Sequence, residues 1–567
     1  MKKNILFTFI SNIVALAVSL IVFKPFFEEL DDTLTAMVSE GAFGLRDAHL
    51  PYSNYFLGVI EKALQTIIPQ IRWHSVLEYM FIFFALCLVV YVLCHYEYGK
   101  LLSVALLMGC SYELYVALQF TKIPAAISGC VLIAFLLLVR DYWKNDGLLF
   151  SKKERWIIGI VGIILFIYAC WLRYEPVAIA ICLIGPVGVC TFVRCIANRE
   201  QRRKWKTYVS CFVPLLIILL LSVITENYYL TADPMWKEYT EYNSARMLWV
   251  DNRYDAFDYG ANSETLDAVG VSENDALMYL TYMFPDVEEI SVEDMWAIVE
   301  AQPPKDIGIK LFKEWIRNLY DTYCVLNASI LLTVILTAAI LIRYKKSYFP
   351  ELIMMGSSLA VVLFYFQYSG RWNHRLAYSA VLVELLTLIY LLVSEKSVDD
   401  SDNVINQAIF GTAMGLLIFG NCGHLLGNIF DYNAYMRTRI SVDYSILQEH
   451  VEENKDILFC ADTFTLQDVF KYDVFKPTHV GQCENVVACG SGITHSPIVR
   501  EQTGKYGYDN VVKALYSMNE NVRLIDNRAA KEKTLYLTEH GDGEIYESIL
   551  VDTVGGYNIY RIDTPSD

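Results

Sequence analysis

The sequence has few of the features that mark a protein held together by metal or disulfides. Its 14 cysteines include no CxxC pair and no cysteine–histidine cluster with the spacing of a structural zinc site. Most of them lie inside apolar runs, where cysteine packs as a small hydrophobic residue. Only Cys460, Cys483 and Cys489 belong to the polar C-terminal region. One disulfide is possible among these three, and the sequence leaves that question open.

Other absences narrow the function further. No phosphate-binding loop or dinucleotide-binding fingerprint occurs, because the GSG at 490–492 is too short to count as either. The net charge of −17 argues against a nucleic-acid partner. No internal repeat of the kind found in inverted-repeat transporters is evident. The first apolar run, 4–23, is followed by Lys-Pro-Phe-Phe and not by a small-residue cleavage site, so we predict a retained helix.

Long apolar runs are what the sequence has in abundance. The chain is 55% hydrophobic, with a mean hydropathy of +0.33. About 20 helical residues cross the hydrocarbon core of a membrane, so runs of this length predict a multi-pass helical membrane protein. We predict eleven spans, at 4–23, 75–95, 101–118, 123–140, 157–172, 176–193, 209–226, 325–343, 352–368, 376–393 and 404–426.

The distribution of charge predicts the orientation of these spans. Cytoplasmic loops carry the excess of Lys and Arg, and the basic clusters lie at 140–155, 194–206 and 343–346. These loops are all inside if the N-terminus is cytoplasmic. The loop 227–324, with nineteen Asp or Glu against seven Lys or Arg, is then outside. An odd number of spans also places the C-terminal region outside, in a protein of the plasma membrane.

We therefore predict two parts, of which the first is an all-α polytopic membrane domain over 1–431 with external loops at 24–74 and 227–324. The second is an extracytoplasmic α/β domain over 432–567, a substrate-binding or stabilising cap. Its predicted elements are strands within 456–462, 534–540 and 558–563 and a helix within 509–518. Helices are also predicted at 55–68, 237–250 and 306–320 in the external loops.

The first external loop contains an adjacent acidic pair, Asp31 and Asp32. A carboxylate at the membrane interface can act as general base toward a hydroxyl nucleophile, or can hold a divalent cation. Asp32 precedes TLTAMV and is equally a good helix N-cap. We predict that at least one aspartate is catalytic while the other caps the helix. His49, later in the same loop, is a possible accessory group for proton transfer.

Two short external hairpins carry basic residues. Arg371, His374 and Arg375 lie within five positions, on the side of the membrane where basic residues are uncommon, and together suit a phosphate or pyrophosphate. Arg173, in the other hairpin, could bind a lipid phosphate by paired hydrogen bonds. The alternative for Arg173 is a side chain paired with Glu175 at the membrane surface.

This arrangement resembles the GT-C class of membrane glycosyltransferases, which includes protein O-mannosyltransferases and the aminoarabinose transferases of lipid A. FFEELDD…RDAH matches the acidic first loop of that class in position, and GRWNHRLAY resembles its basic segment near the late spans. The resemblance covers about residues 1–426. The first loop and WKEYTEYNSAR are also similar to those of uncharacterised multi-pass proteins of Gram-positive gut bacteria. The oligosaccharyltransferase signature WWDYG is absent, which disfavours en bloc glycan transfer.

The resemblance implies a donor, a mechanism and a class of acceptor. A polyprenyl-phosphate-sugar would enter from the membrane lipid, with its phosphate held by Arg371 and Arg375, helped by His374 and Arg173. Asp31 or Asp32 would remove the proton of the acceptor hydroxyl. The acceptor would be an extracytoplasmic cell-wall polymer, lipid or protein. A divalent metal held by Asp31 and Asp32 is optional, because two arginines can supply its electrostatic role.

Two other functions stay open at this point. A transporter or flippase for a lipid-linked glycan would have charged residues lining a path, whereas Glu78, Glu113 and Glu384 are scattered among mostly uncharged spans. A non-catalytic protein of cell-envelope assembly would use the C-terminal domain to bind a partner. Neither of these would need Asp31 or Asp32 for its activity.

Overall fold

The structure is a computed structural model, which describes most of the chain. The described residues are 2–96, 98–144, 147–198, 202–252, 259–280, 290–301, 307–323, 333, 336, 337, 340, 348–393, 444–470, 473–541 and 543–565.

Eight of the described helices are long and apolar enough to cross a membrane, which confirms a multi-pass protein. A ninth predicted span, 101–118, is the 17-residue helix Gly99–Tyr115. The predicted spans 325–343 and 404–426 lie wholly or largely outside the described residues. The eight helices are Lys2–Val22, Trp73–Leu93, Lys122–Lys144, Lys152–Leu172, Tyr174–Ala197, Trp205–Ala232, Phe349–Tyr368 and His374–Val393.

The helix Lys122–Lys144 is the centre of the membrane part. It packs most closely against Trp73–Leu93, Lys152–Leu172, Tyr174–Ala197 and His374–Val393, and it is buried along nearly its whole length. Gly162 of a neighbouring span allows close approach, because a Cβ there would lie 2.5 Å from the Phe135 ring. The outermost helix, Trp205–Ala232, instead exposes much of its apolar surface, including Leu216 and Leu220. Such a surface suits contact with lipid, where apolar side chains cost nothing.

The membrane helices have polar contacts of different kinds at their two ends. At the end nearest the basic segments, Arg140 donates to the Tyr348 hydroxyl over 2.7 Å. At the same end, Arg194 lies 2.7 Å from the Glu351 carboxylate. The acidic first loop lies at the other end of the membrane helices, and the candidate site forms there.

The first loop contains two helices and a short strand. Phe26–Phe27 pairs in parallel with Ala117–Leu118, and the helices are Leu30–Glu40, here named the acidic helix, and Tyr55–Ile67. The prediction that Asp32 is an N-cap is wrong. The N-cap position is Glu29, and Asp32 lies inside the first turn. Its carboxylate accepts from the distant Phe120 amide and not from its own helix, so tertiary contact determines its position.

The second loop is also helical. Asp233 caps the helix Pro234–Arg246 by accepting from the amides of Met235 and Trp236. That helix continues into a π-helical turn, Met247–Asn252. Four further helices follow, and helical structure in the predicted stretches 237–250 and 306–320 is confirmed. They are Tyr259–Ala268, Glu273–Leu280, Val292–Ala301 and Ile309–Tyr323.

The C-terminal unit, residues 444–565, contains a mixed five-stranded sheet. The strands are Leu458–Ala461, Val486–Ala488, Val522–Ile525, Glu547–Val554 and Tyr557–Asp563. Leu458–Ala461 lies between Val486–Ala488 and Val522–Ile525 and is parallel to both. Tyr557–Asp563 lies between Val522–Ile525 and the edge strand Glu547–Val554 and is antiparallel to both. The helices are Tyr444–Glu453, Thr463–Val469, Pro497–Lys505, Val511–Tyr516 and Ala530–His540.

The predicted strand at 534–540 is wrong, because this stretch belongs to the helix Ala530–His540. Its buried positions include Lys533 and Leu537, one helical turn apart. The Lys533 ammonium contacts the buried carboxylates of Asp462 and Asp526, which secures the helix against the sheet. Tertiary contacts thus override the strand preference of Thr, Leu and Tyr. The three polar-region cysteines, Cys460, Cys483 and Cys489, are buried, and Cys460 and Cys489 are not joined in a disulfide.

The C-terminal unit docks on the end of the acidic helix. Glu40, in its last turn, accepts from Arg72 at 2.8 and 3.1 Å and from the Thr478 amide at 2.8 Å. Gly41 ends the helix with a φ of 83°, which favours glycine, and its carbonyl accepts from Gly481. The Arg72 and Glu40 side chains are both fully enclosed and form a buried ion pair within the first loop, and Arg72 also donates to the Asp473 carbonyl of the docked unit.

Candidate functional site

The site begins with the short parallel pairing between the first loop and residues 117–118. The Glu28 amide donates to the Leu118 carbonyl over 3.0 Å, and the Phe120 amide donates to Asp32 Oδ1 over 2.7 Å. These two bonds hold residues 28–32 against the start of the central membrane helix. Sequence reasoning could not find this contact, because the partners are about 90 residues apart.

Lys122 is the first cation of the site. Its ammonium is fully buried and lies 2.8 Å from Glu28 and 2.6 Å from Glu113. A buried ammonium needs this pairing, since an unpaired charge in a dry interior is costly. Lys122 therefore fixes the acidic stretch onto the membrane part and joins Glu113, one of the scattered acidic residues, to the site.

Asp31 and Arg375 face each other across the site. Arg375 Nη1 lies 3.9 Å from Asp31 Oδ2 and 3.9 Å from Glu29 Oε1. Nη1 is buried and has no hydrogen-bond partner among the described residues. The contact is thus an ion pair too long to be a hydrogen bond. Burial raises the pKa of Glu29, although the charge of Arg375 opposes that effect. Arg375 Nη1 therefore faces two carboxylates but forms a hydrogen bond with neither of them.

Arg371 lies beside the same group of charges. Its Nη2 is 3.9 Å from the Met247 sulfur, and its charge acts on Asp251. Asp251 in turn lies 3.7 Å from Arg246 Nη1 and is within electrostatic reach of Asp31 and Arg375. Burial raises the pKa of Asp251 against the opposing charges of Arg246 and Arg371. His374 begins the helix His374–Val393, and its side chain lies outside the described part of the structure.

Arg173 lies against Phe120, the residue whose amide donates to Asp32. Its guanidinium lies 4.6 Å from the Phe120 ring centroid and donates to the Thr121 hydroxyl over 3.0 Å. Arg173 Nε is 3.4 Å from the exposed Glu175 carboxylate. The structure therefore contains the Arg173–Glu175 pair that the sequence offered as an alternative. Thr121, to which Arg173 donates, directly follows Phe120, whose amide donates to Asp32.

His49 has aromatic and acidic neighbours that account for its position. Its ring stacks on Trp236 with centroids 4.5 Å apart, and Nδ1 lies 2.8 Å from Asp47. Burial raises the pKa of Asp47, but hydrogen bonds from His49 outweigh this effect and leave that pKa lowered. These contacts make His49 a link between the first loop and the helix Pro234–Arg246. No described contact joins it to Asp31 or Arg375.

Asp32 faces away from the charges around Asp31. Its side chain is fully buried, and its neighbours are Glu78 and His74 of the helix Trp73–Leu93. Burial, followed by the negative charge of Glu78, raises the pKa of Asp32 well above its usual value. Adjacent residues of a helix point about 100° apart, which accounts for the separation. The two aspartates therefore have different partners.

Tyr52, Tyr239 and Gly492 close the site from the side of the C-terminal unit. The Tyr239 hydroxyl donates to the Gly492 carbonyl. A Cβ on Gly492 would lie 2.5 Å from the Tyr52 hydroxyl, so a larger residue there would displace the Tyr52 side chain. Burial, followed by the negative charge of Asp31, raises the pKa of Tyr52 to about 12. The GSG segment is therefore a close-packed contact above the acidic loop, a role that no sequence signal indicated.

The combined site has carboxylates and cations in alternation. Asp31, Glu29 and Asp251 stand among the charges of Arg375, Arg371 and Arg246, within one electrostatic neighbourhood. Such an arrangement can bind an anion at the guanidinium groups while a carboxylate accepts a proton beside it. Sequence reasoning missed Lys122, Arg246, Asp251 and Tyr52, whose roles depend on contacts between distant parts of the chain.

No protein-family model matches the sequence, and no curated protein matches it. The chain is similar to the crystal structure of ArnT from Cupriavidus metallidurans bound to undecaprenyl phosphate. The identity is 10% and the TM-score 0.40, over 98% of this chain and 97% of that chain. A similarity of this size carries no conclusion about activity. The resemblance to proteins of Gram-positive gut bacteria stays a prediction.

Proposed function

We propose that the protein is a membrane glycosyltransferase of the GT-C type, which moves a sugar from a polyprenyl-phosphate donor to an extracytoplasmic acceptor. Its N-terminus would be cytoplasmic and its C-terminal unit extracytoplasmic. The supporting observation is the 3.9 Å contact between Arg375 Nη1 and Asp31 Oδ2, in which the arginine donor lacks a hydrogen-bond partner among the described residues.

Arg375 suits the donor phosphate for a geometric reason. Guanidinium groups bind phosphate oxygens through charge-assisted hydrogen bonds of about 2.7–2.9 Å, shorter than the contact with Asp31. A phosphate oxygen would therefore replace a loose ion pair with a short hydrogen bond. Arg371 would add positive charge from the same hairpin, and His374 and Arg173 complete the set proposed for the phosphate. The donor is a phosphodiester with one negative charge, whereas the polyprenyl phosphate that leaves gains a second, so the arginines would stabilise the leaving group more than the donor.

Asp31 is the better of the two aspartates for the general base. It is partly exposed, whereas Asp32 is fully buried and its Oδ1 accepts from the Phe120 amide. In the proposed step, the acceptor hydroxyl oxygen bonds to the anomeric carbon while the bond from that carbon to the phosphate oxygen breaks. Asp31 takes the hydroxyl proton, and the electron pair leaves with the phosphate. Arg375 stabilises the phosphate as its charge grows.

A single displacement of this kind inverts the anomeric configuration, so the stereochemistry of the product is a consequence of the proposal. Glu29 would keep Arg375 oriented before the donor arrives, and Asp251 would do the same for Arg246. His49 and Glu175 stay possible accessory groups. A catalytic metal between Asp31 and Asp32 is not needed, because the two carboxylates have separate partners.

The test is to incubate the purified full-length protein with a panel of labelled polyprenyl-phosphate sugars and to measure binding and transfer. We expect at least one donor to bind and its sugar to reach an acceptor or water. Failure of every donor to bind would overturn the donor assignment. Binding without transfer, together with lipid-linked sugar moving across a vesicle membrane, would instead favour the flippase.

A further inference from the structure

A second group of ionisable side chains lies behind the acidic helix, away from Arg375. Asp32, His74 and Glu78 each offer a ligand atom, and these atoms all lie within 4.8 Å of one another. All three side chains are 1% exposed or less. His74 and Glu78 are one turn apart on the helix Trp73–Leu93, so they share a face that meets Asp32.

The atoms that face each other in this group are unsatisfied. Among the described residues, Asp32 Oδ2, His74 Nε2 and both Glu78 carboxylate oxygens have no hydrogen-bond partner. His74 Nε2 and Glu78 Oε1 are 3.8 Å apart, too far for a hydrogen bond. Buried polar atoms are nearly always paired, so four orphaned atoms around one point indicate a missing partner.

The orientation of the imidazole fits a metal ligand. His74 Nδ1 lies 2.9 Å from Glu61 Oε1, on the helix Tyr55–Ile67, and Glu61 is also fully buried. When Nδ1–H donates a hydrogen bond to the Glu61 carboxylate, the proton stays on Nδ1. The lone pair of Nε2 is then free and directed at Asp32 and Glu78. This carboxylate–histidine arrangement is the usual support of a metal-bound histidine.

The charge of the group favours a cation. Asp32, Glu61 and Glu78 would together carry three negative charges, and the one histidine can offset at most one of them. Buried carboxylates without compensation are costly, and a bound divalent cation would offset that cost. Metal bonds of about 2.0–2.1 Å place tetrahedral ligand atoms roughly 3.4 Å apart, close to the His74–Glu78 separation.

We infer that Asp32, His74 and Glu78 bind a divalent transition-metal ion, with Glu61 as the supporting carboxylate. One imidazole with carboxylates is a ligand set that suits Zn²⁺. The ion joins the acidic helix to the helix Trp73–Leu93 and thereby keeps Asp31, the next residue, turned toward Arg375. Its role is positional, since no described contact brings it to the arginines. The inference does not rest on the proposed glycosyl transfer.

The test measures metal content in the full-length protein after treatment with a chelator and reloading with Zn²⁺ alone. We expect about one Zn²⁺ per chain and a higher unfolding temperature in the reloaded protein than in the stripped protein. Asp32→Asn, His74→Gln and Glu78→Gln should each lower the bound metal more than about tenfold, and Glu61→Gln should weaken binding by about 10–100-fold.

Two matched controls separate this result from other causes. Glu384→Gln also changes a fully buried carboxylate whose two oxygens have no partner among the described residues, but outside the group, and should keep the metal. Asp31→Asn should lose transfer and keep the metal, so failure of one proposal is distinguishable from failure of the other. Absence of Zn²⁺ and of any thermal shift in the reloaded wild-type chain would overturn the inference, and so would wild-type occupancy in Asp32→Asn.

Discussion

Asp31 and Asp32 are neighbours in sequence but belong to different chemical environments. Asp31 is partly exposed and faces Arg375, within a group of alternating charges. Asp32 is fully buried, accepts from the Phe120 amide and faces His74 and Glu78. The comparison teaches that an acidic pair on a helix can divide its tasks, one carboxylate for chemistry and one for the position of the helix.

The largest expected effect comes from changing the aspartate on the Arg375 side. Asp31→Asn keeps the shape of the side chain and removes the base, so the rate of transfer should fall by about 10²–10⁴-fold. Donor binding should persist, because Arg375 is intact. The measurement is single-turnover transfer from a bound labelled donor.

Glu29→Gln is the control for that change, because Glu29 lies at the same 3.9 Å distance from Arg375. We expect its rate to fall far less. Equal losses in the two variants would show that both carboxylates act only through the arginine.

The second effect is on donor affinity. Arg375→Gln removes the charge proposed for the phosphate, and the loss of a charge-assisted hydrogen bond worth about 1.5–3 kcal/mol should weaken binding by roughly 10–100-fold. Binding of labelled polyprenyl phosphate to the purified protein measures this. Arg194→Gln, which changes an arginine paired with Glu351 near the basic segments, should bind normally. The idea fails if the two variants bind equally well.

The third effect is on stability. It concerns the Arg72–Glu40 ion pair, which holds the last turn of the acidic helix, and this helix carries both aspartates. Arg72→Ala leaves the buried Glu40 carboxylate without its ion-pair partner, so the free energy of unfolding should fall by about 3–5 kcal/mol. Chemical or thermal unfolding of the purified protein measures the change.

Arg500→Ala is the matched control, because Arg500 also connects the C-terminal unit to a loop, through Glu238 at the surface. Exposed pairs contribute about 0–1 kcal/mol, so a small change is expected. Similar losses of unfolding free energy in both variants would mean that burial of the Arg72–Glu40 pair does not increase its contribution to stability.

The smallest effect is expected at His49. Its ring stacks on Trp236, so His49→Phe should keep the packing and change the transfer rate by no more than about twofold. Steady-state transfer measures it. A loss comparable to that of Asp31→Asn would give His49 a part in proton transfer and would place a third group in the site.

The sequence was informative where one property decided the outcome. Apolar length predicted the membrane helices, and the excess of external charge selected the stretch 26–49 and the hairpin 370–375, which the structure brings into contact through Asp31 and Arg375. The predicted strand at 534–540 failed because the contacts of Lys533 with Asp462 and Asp526 favour a helix there.

Other parts of the site could not be predicted from the sequence. Lys122, Asp251 and His74 acquire their partners only when segments tens to hundreds of residues apart pack together. No motif in the sequence marks these residues. The division between the two aspartates likewise depends on the Phe120 amide, 88 positions from Asp32.

The most direct test of the central claim is an experimental structure of the full-length protein with polyprenyl phosphate bound. The account predicts a phosphate oxygen within about 3 Å of Arg375 Nη1, on the side of the acidic helix that carries Asp31. A phosphate bound instead at the opposite end of the membrane helices, near Arg194, would contradict it.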